Sequence, residues 1–444
     1  MIGTIAAVAT PFGPGAISVL RVSGPEALQV AGAALQNDLT TVEVRKVLRG
    51  LVRDEGGSIL DDVLVTCFKG PTSFTGEDTV EISGHGGVLV TQRVLDRLVA
   101  CGARVAEPGE FTQRAFLNGK MDLTQAEAIM DVISAQTDLA LRAAQQQLTG
   151  RLGEATEALR AEVLGILAHV EAFIDFPEED IDPSTGAALL EQITKCEEVC
   201  RALLDTAERG RILREGVKTV IYGKPNVGKS SLLNLLLGYE RAIVSEIAGT
   251  TRDTVEEVVN IGGIPVRLID TAGMRETTDS IEQHGVARTR QKLEEADLVL
   301  EVVDGSEEPG QLLGAESLQA HYILVRNKVD LGEHAGWSER GGVSISCVRR
   351  EGEEALVRAI GNELALDSGT WGQEAVAVNA RHQDCLRRAA KGLAAGRETL
   401  AAGTSVEFAA LDFREALEAV GEIAGQVETE ELLGEIFGRF CIGK

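Results

Sequence analysis

The rhythm of apolar and polar positions changes along the chain. Through residues 1–118 the apolar residues fall in short β-branched runs separated by Gly/Pro turns. Ala16–Val22, Val63–Phe68 and Thr79–Ser83 predict strands of an α+β domain. From residue 119 the spacing changes to steps of three and four. Ala126, Met130, Ile133, Thr137 and Leu141 share one stripe, and Leu159, Val163, Ile166, Val170 and Phe173 another, which predicts helices. Helical composition runs to about Gly210, with an acidic break at Asp175–Pro183.

Residues 217–365 alternate strand-like runs (Val217–Tyr222, Val266–Asp270, Leu298–Asp304, Tyr322–Asn327) with helical segments. That alternation predicts βα units on a parallel sheet. Helical texture returns after about residue 371, through Ala389–Leu400 and Phe408–Val420. The simplest organisation is an α+β domain at 1–118 and a helical bundle domain at 119–214 and 366–444. The bundle is split by an inserted α/β nucleotide-binding domain at 215–365, since insertion is cheap where both ends meet at a surface.

Composition narrows the function classes. Apolar residues make up 44% of the 444, enough for packed cores, and no apolar run is long enough to span a membrane. A soluble cytosolic protein is expected. The net charge of −26 argues against tight nonspecific binding to nucleic acid, which needs cations that displace counterions. The seven cysteines are scattered and do not read as a disulfide framework. Cys196 and Cys200 lie one helical turn apart without a nearby His or Cys to complete a metal site, and read as ordinary helix residues.

The chemistry concentrates in the inserted domain. Gly223-Lys224-Pro225-Asn226-Val227-Gly228-Lys229-Ser230 follows an apolar strand and fits the phosphate-loop pattern G-x-x-x-x-G-K-[ST]. Its glycines let backbone N–H groups, including that of Val227, curl around phosphate oxygens. Lys229 reaches the β- and γ-phosphates, Ser230 binds Mg²⁺, and the helix from Ser231 to Leu237 points its positive end at the phosphates. Asp270-Thr271-Ala272-Gly273 ends another strand. Asp270 is expected on Mg²⁺ and the Gly273 N–H on the γ-phosphate. In Asn327-Lys328-Val329-Asp330, the Asp330 carboxylate can accept from both N1–H and the 2-amino group of guanine. Adenine lacks both donors, so GTP is chosen over ATP. Ser346-Cys347 fits the weaker base-contacting loop, where Ser-Ala is more usual. Gly249-Thr250-Thr251-Arg252-Asp253 reads as a switch loop whose Thr251 closes on Mg²⁺. Arg252 is either an arginine finger or structural. Met274, not glutamine, follows Gly273, so water must be oriented by another group, with Asp279 and Glu282 as candidates.

These motifs, together with ATPFGPGAISVLRVSGP, SFTGEDTVEISGHGG, GEFTQRAFLNGKMDLTQAEA and the terminal Cys441-Ile442-Gly443-Lys444, closely resemble the bacterial tRNA wobble-uridine modification GTPase family (MnmE/TrmE) over the whole chain. The resemblance implies a Ras-like GTPase domain activated by potassium. The ion would be held by Asn226 and by the loop around Ser245, Ile247 and Thr250, doing the work of an arginine finger. It implies that Glu282 orients the attacking water. It also implies that the first domain forms a homodimer and binds 5-formyl- or methylene-tetrahydrofolate through positions matching Arg21, Glu81 and Lys120, with Cys441 nearby as a catalytic or a structural residue. The family partner is an FAD- and NADH-using protein of MnmG/GidA type, which joins it in a heterotetramer and carries most of the tRNA contact. Together they install an aminomethyl or carboxymethylaminomethyl group on the wobble uridine. His85, in Gly84-His85-Gly86-Gly87, reads as a turn-stabilising residue. A ribosome-assembly GTPase shares some motifs but usually carries a basic appendage that is not evident here. A nucleotide-switched scaffold is the other alternative.

Overall fold

The computed structural model describes residues 3–175, 187–239, 257–269, 291–364, 378–402, 406–426 and 430–444. The chain divides into two compact units. One comprises Met1–Met130, Leu148–Glu197 and Arg388–Lys444, and the other Asp131–Gln147 and Glu198–Arg387.

The first unit is built on a sheet of β1 (Ile5–Val8), β2 (Ile17–Ser23), β3 (Val47–Arg53), β4 (Ile59–Phe68), β5 (Thr79–His85) and β6 (Arg104–Val105), in the order β3-β4-β5-β2-β1-β6. Neighbours run antiparallel except β1 and β6. Alternation sets the faces, because successive strand side chains point to opposite sides. Leu20 and Val22 of β2, Val63 and Val65 of β4, and Val80 and Ile82 of β5 are buried. They form one core with Ala31 and Ala34 of helix α1 (Ala27–Leu35) and Val94 and Leu98 of α2 (Val88–Ala100). Helix α3 (Glu110–Leu117) follows.

The expected first helical stripe is interrupted. It divides into α4 (Leu123–Ser134) and α5 (Asp138–Leu148). The break falls at Thr137, whose Oγ1 accepts from Ala140 N at 3.3 Å while its carbonyl accepts from Leu141 N at 2.9 Å. Thr137 matches the helical spacing but serves as a cap, which threonine's short hydroxyl favours. The second stripe lies on α6 (Arg151–Asp175), where Leu159, Val163, Ile166 and Val170 are buried. After α7 (Ala187–Glu215) and the nucleotide-binding elements, the helices resume as α10 (Ala380–Ala401), α11 (Val406–Ala424) and α12 (Glu430–Gly438). Gly396 lets α10 approach α11 closely, since a Cβ there would stand 2.4 Å from the Phe413 ring. Helix α12 buries Leu433 and Phe437 against Leu123 and Ala126.

The second unit carries β7 (Val217–Tyr222), β8 (Glu257–Ile261), β9 (Ile264–Leu268), β10 (Leu298–Asp304), β11 (His321–Asn327) and β12 (Val343–Ser344), in the order β12-β11-β10-β7-β9-β8. The expected parallel sheet is in fact mixed. Strand β8 runs antiparallel to β9, joined at Gly262-Gly263 with φ of 62° and 90°, as a tight hairpin turn requires. The other pairs are parallel. Helices α8 (Lys229–Leu237) and α9 (Glu353–Glu363) bury Leu232, Leu235, Leu236 and Ile360 with Val217, Leu300, Val302 and Val325. Both chemistry-bearing loops leave the C-terminal ends of parallel strands, where such sheets bind ligands.

Candidate functional site

Gly223–Gly228 connects the end of β7 to the start of α8. Gly223 has φ 151°, and a Cβ there would stand 2.2 Å from the Val302 carbonyl oxygen. Gly228, φ 98°, precedes the first turn of α8, and a Cβ there would stand 2.1 Å from Asn327 Nδ2. Asn226 is exposed in the left-handed region, φ 65°. Ser230 and Ser231 are exposed in the first helical turn, where unsatisfied N–H groups and the helix dipole favour an anion. Lys229 Nζ donates to the carbonyls of Gly223 at 2.8 Å and Lys224 at 2.6 Å. Burial lowers its pKa. Its ammonium is therefore held over the loop mouth.

The residues expected to read the base are fixed by hydrogen bonds. Asn327 ends β11 and is buried. Its Nδ2 donates to Val227 O at 2.9 Å and its Oδ1 accepts from Cys347 N at 3.2 Å. One side chain thus ties the phosphate loop to the base loop. Asp330 Oδ1 accepts from Ser346 Oγ at 2.6 Å, and Ser346 Oγ accepts from Arg349 N at 3.1 Å. These contacts aim the carboxylate. Cys347 packs against the core, and burial pushes its thiol up to about 11, so it serves as a small apolar residue. Lys328, at φ 64°, pairs with Asp304 at 2.7 Å. Burial raises the Asp304 carboxyl, but Lys328 and Ser306 outweigh it and hold it below its usual range. Asp304 escaped the sequence reading, although its place at the end of a parallel strand was a usable signal.

Ser245, Ile247, Thr250, Thr251, Arg252, Asp270, Gly273, Asp279 and Glu282 lie outside the described residues.

In the N-terminal domain Arg21 and Glu81 face each other across β2 and β5. Arg21 donates to Glu81 Oε1 from Nε at 3.1 Å and from Nη2 at 2.8 Å. The guanidinium lies over Phe74 at 5.2 Å and Phe111 at 5.7 Å. The C-terminal residues approach the same helix. Phe111 N donates to Lys444 O at 3.2 Å and Gly109 N to Cys441 O at 3.5 Å. Gly443, φ 97°, sits where a Cβ would stand 2.2 Å from Val8 O. Cys441 is partly buried. Beneath lies a buried network: Glu110 accepts from Arg104 and Arg114, and Arg114 also donates to Glu77. Burial opposes ionisation of Glu110, but Arg104, the Glu107 N–H and Arg114 bring it down to about 2. Lys120 points elsewhere, to Pro71 O at 2.8 Å. Phe74 went unnoticed in the sequence, and an exposed aromatic inside a Gly/Ser-rich loop was its only signal.

His85 Nδ1 lies 2.6 Å from Asp61 Oδ1, and its N–H donates to Asp61 Oδ2 at 2.8 Å. The bond to Asp61 raises its pKa. Both contacts fasten the end of β5. Cys196 and Cys200 are buried on α7. Among the described residues no group of His, Cys, Asp or Glu could hold a metal ion, and no helix is long and apolar enough to cross a membrane.

Comparison with known proteins accounts for the whole chain. Residues 4–120 match the family model of the GTP-binding protein TrmE N-terminus, and residues 123–441 match that of the MnmE helical domain. A tRNA modification GTPase MnmE of Akkermansia muciniphila is 52% identical over 99% of both chains. Proteins of the same description from Geobacter sulfurreducens and Streptococcus pneumoniae are 46% and 44% identical over 99% of this chain, and over 99% and 98% of theirs. With the phosphate-loop pattern, the Asn327–Asp330 motif and full-length identity in agreement, this chain belongs to the MnmE family of tRNA modification GTPases.

Proposed function

We propose that this GTPase is activated by potassium. With an FAD-dependent partner, it uses a tetrahydrofolate one-carbon unit to place an aminomethyl or carboxymethylaminomethyl group on C5 of the tRNA wobble uridine. The observation that carries the nucleotide half is the Asn327 amide bridging Val227 and Cys347, which supports a pocket organised for one guanine nucleotide. Lys229 and the first-turn N–H groups of α8 bind the phosphates. Asp330 selects guanine. Ser230, Thr251 and Asp270 would hold Mg²⁺, and Glu282 orients the attacking water.

Asn226 fits a monovalent-cation role: it is exposed, left-handed and, among the described residues, its amide has no hydrogen-bond partner. Ser245, Ile247 and Thr250 would complete the shell. Potassium bound there supplies positive charge beside the transferred phosphoryl group. Arg21, Glu81 and Lys120 are assigned to the folate, and Cys441 acts beside it. The reading includes a homodimer, domain limits at 118/119, 214/215 and 365/366, a cytoplasmic setting, and a heterotetramer in which the partner carries most of the tRNA contact.

The test is the GTPase rate in KCl against NaCl at equal ionic strength. A clear excess in KCl is expected, abolished in Asn226→Ala with GTP binding retained. Equal rates in the two salts refute the potassium role. Glu282→Ala is expected to bind GTP and fail to hydrolyse it, and unchanged turnover removes that assignment.

A further inference from the structure

Three cations of the N-terminal domain that have no carboxylate partner among the described residues meet at one loop. Arg45 Nη2 donates to Thr72 O at 3.0 Å, Lys120 Nζ to Pro71 O at 2.8 Å, and Lys69, which opens the loop, to Thr40 O at 3.4 Å. All three are exposed. The chain has 69 acidic residues against 43 basic ones, so unneutralised cations need a reason. Elsewhere in this domain Arg21, Arg49, Arg104 and Arg114 are each matched to a carboxylate, while Arg53 on β3 and Arg93 and Arg97 on α2, which are not, do not share a loop. Asp38 and Asp78, which flank the cluster in sequence, are turned to other donors: Asp38 accepts from Thr40 N and Oγ1, and Asp78 from Gly70 N. A lysine ammonium has three N–H donors and a guanidinium five, so each of these side chains keeps donors free for an anion.

The loop is fixed and joins this cluster to the Arg21 site. Asn118 Nδ2 donates to Thr75 O at 2.7 Å, Ser73 Oγ to Glu77 O at 2.5 Å, and Ser23 Oγ lies 2.7 Å from Thr75 Oγ1. The same loop carries Phe74 over the Arg21 guanidinium. A ligand held at Arg21 and Glu81 therefore has a cationic surface beside it, on the same rigid segment.

We infer that Arg45, Lys69 and Lys120 anchor a short flexible chain of carboxylates, the oligo-γ-glutamyl tail of a folate. This rests on the folate reading above and specifies the form of folate that the site takes. Separate charges, each held on its own main-chain carbonyl, suit a repeating carboxylate better than a single small anion. A nucleic-acid backbone would need a longer basic track than three side chains provide.

The experiment is calorimetric titration of the full chain with 5-formyltetrahydrofolate as monoglutamate and as pentaglutamate. The pentaglutamate is expected to bind about tenfold more tightly at low salt, with the margin shrinking as salt screens the exposed charges. In the double variant Arg45→Gln/Lys69→Gln the two ligands should come within about twofold of each other, with monoglutamate affinity unchanged. Equal affinities on the wild-type chain, with the monoglutamate bound, overturn the tail site and leave the folate reading standing. Failure of the monoglutamate to bind sinks the folate reading as well. A double variant that keeps the pentaglutamate preference but loses affinity for tRNA assigns the cluster to nucleic acid and overturns the inference.

Discussion

Gly228→Ala tests the link between the two halves of the nucleotide pocket. The new Cβ would stand 2.1 Å from Asn327 Nδ2, the atom that donates to Val227 O. The alanine would also have to hold φ near 98°, a region that L side chains rarely adopt. That strain costs about 1 kcal/mol or more. Displacing Asn327 leaves a buried donor and a carbonyl unpaired, which costs about 1 kcal/mol at the low end. The sum, about 2 kcal/mol, is about 30-fold in affinity if the empty loop relaxes and must be restored on binding. The assay is GTP and GDP binding by fluorescence, with thermal unfolding of the nucleotide-free protein alongside. Both nucleotides should weaken by about 30-fold or more, because the damage lies in the loop and not in base selection. Affinities within about threefold of wild type would refute the reasoning, since they would mean that the bridge contributes nothing.

Asp330→Asn should lose GTP, because an amide cannot accept from both guanine donors. Two charge-assisted bonds at about 1.5 kcal/mol each predict a loss of about 100-fold, with xanthosine triphosphate recovering affinity; a GTP affinity unchanged by the substitution would show that Asp330 does not read the base. Glu110→Gln should destabilise the protein in urea titrations at pH 7. The distance between the ordinary carboxyl value of 4.5 and about 2 is equivalent to about 3 kcal/mol. The folded-state value is the depressed one, so this contribution is full above 4.5 and disappears as the pH falls through about 2. A wild-type-minus-variant difference that stays constant from pH 7 down to that value would contradict it. Gly443→Ala should push the C-terminal residues off Val8 and speed alkylation of Cys441, measured by mass spectrometry; an unaltered rate would show the segment held by other contacts.

The phosphate loop was legible because its chemistry is local: a strand, a glycine turn and a helix start within fourteen residues of sequence, Val217–Ser230. Strands β7 and β10 were equally plain, since apolar residues predominate in both and most of their positions are buried. Strand β3 was not. Its sequence VLRGLVR carries two arginines and a glycine, and Val52 alone is fully buried, because pairing with β4 rather than burial makes it a strand. Strand β8 was hidden for a related reason: its direction depends on the Gly262-Gly263 turn, which the alternation of strands and helices does not encode. The Arg104–Glu110–Arg114–Glu77 network was invisible because Glu77 lies 37 residues from Arg114, and only the fold brings them together. The resemblance located Arg21 and Glu81, but the rings that enclose Arg21 come from Phe74 and Phe111, on a loop and a helix that spacing alone does not join to it.

The contact of Phe111 with Lys444, and of Gly109 with Cys441, has a consequence for how the protein is made. The first sheet can close its main core as soon as residues 6–103 have left the ribosome, since that core draws on nothing later. The N-terminus of α3 cannot be completed then. Its acceptors arrive only with residues 441–444, after the whole nucleotide-binding segment has been synthesised. At about 5–20 residues per second, the wait is about 15–65 s. During that interval the amides at Gly109 and Phe111 lack these two partners. The strand end at Val8, where Gly443 will lodge, waits with them. Maturation of the N-terminal domain in this way waits on the synthesis of residues 441–444, and a nascent chain arrested before residue 441 would hold a folded sheet with the start of α3 unfinished.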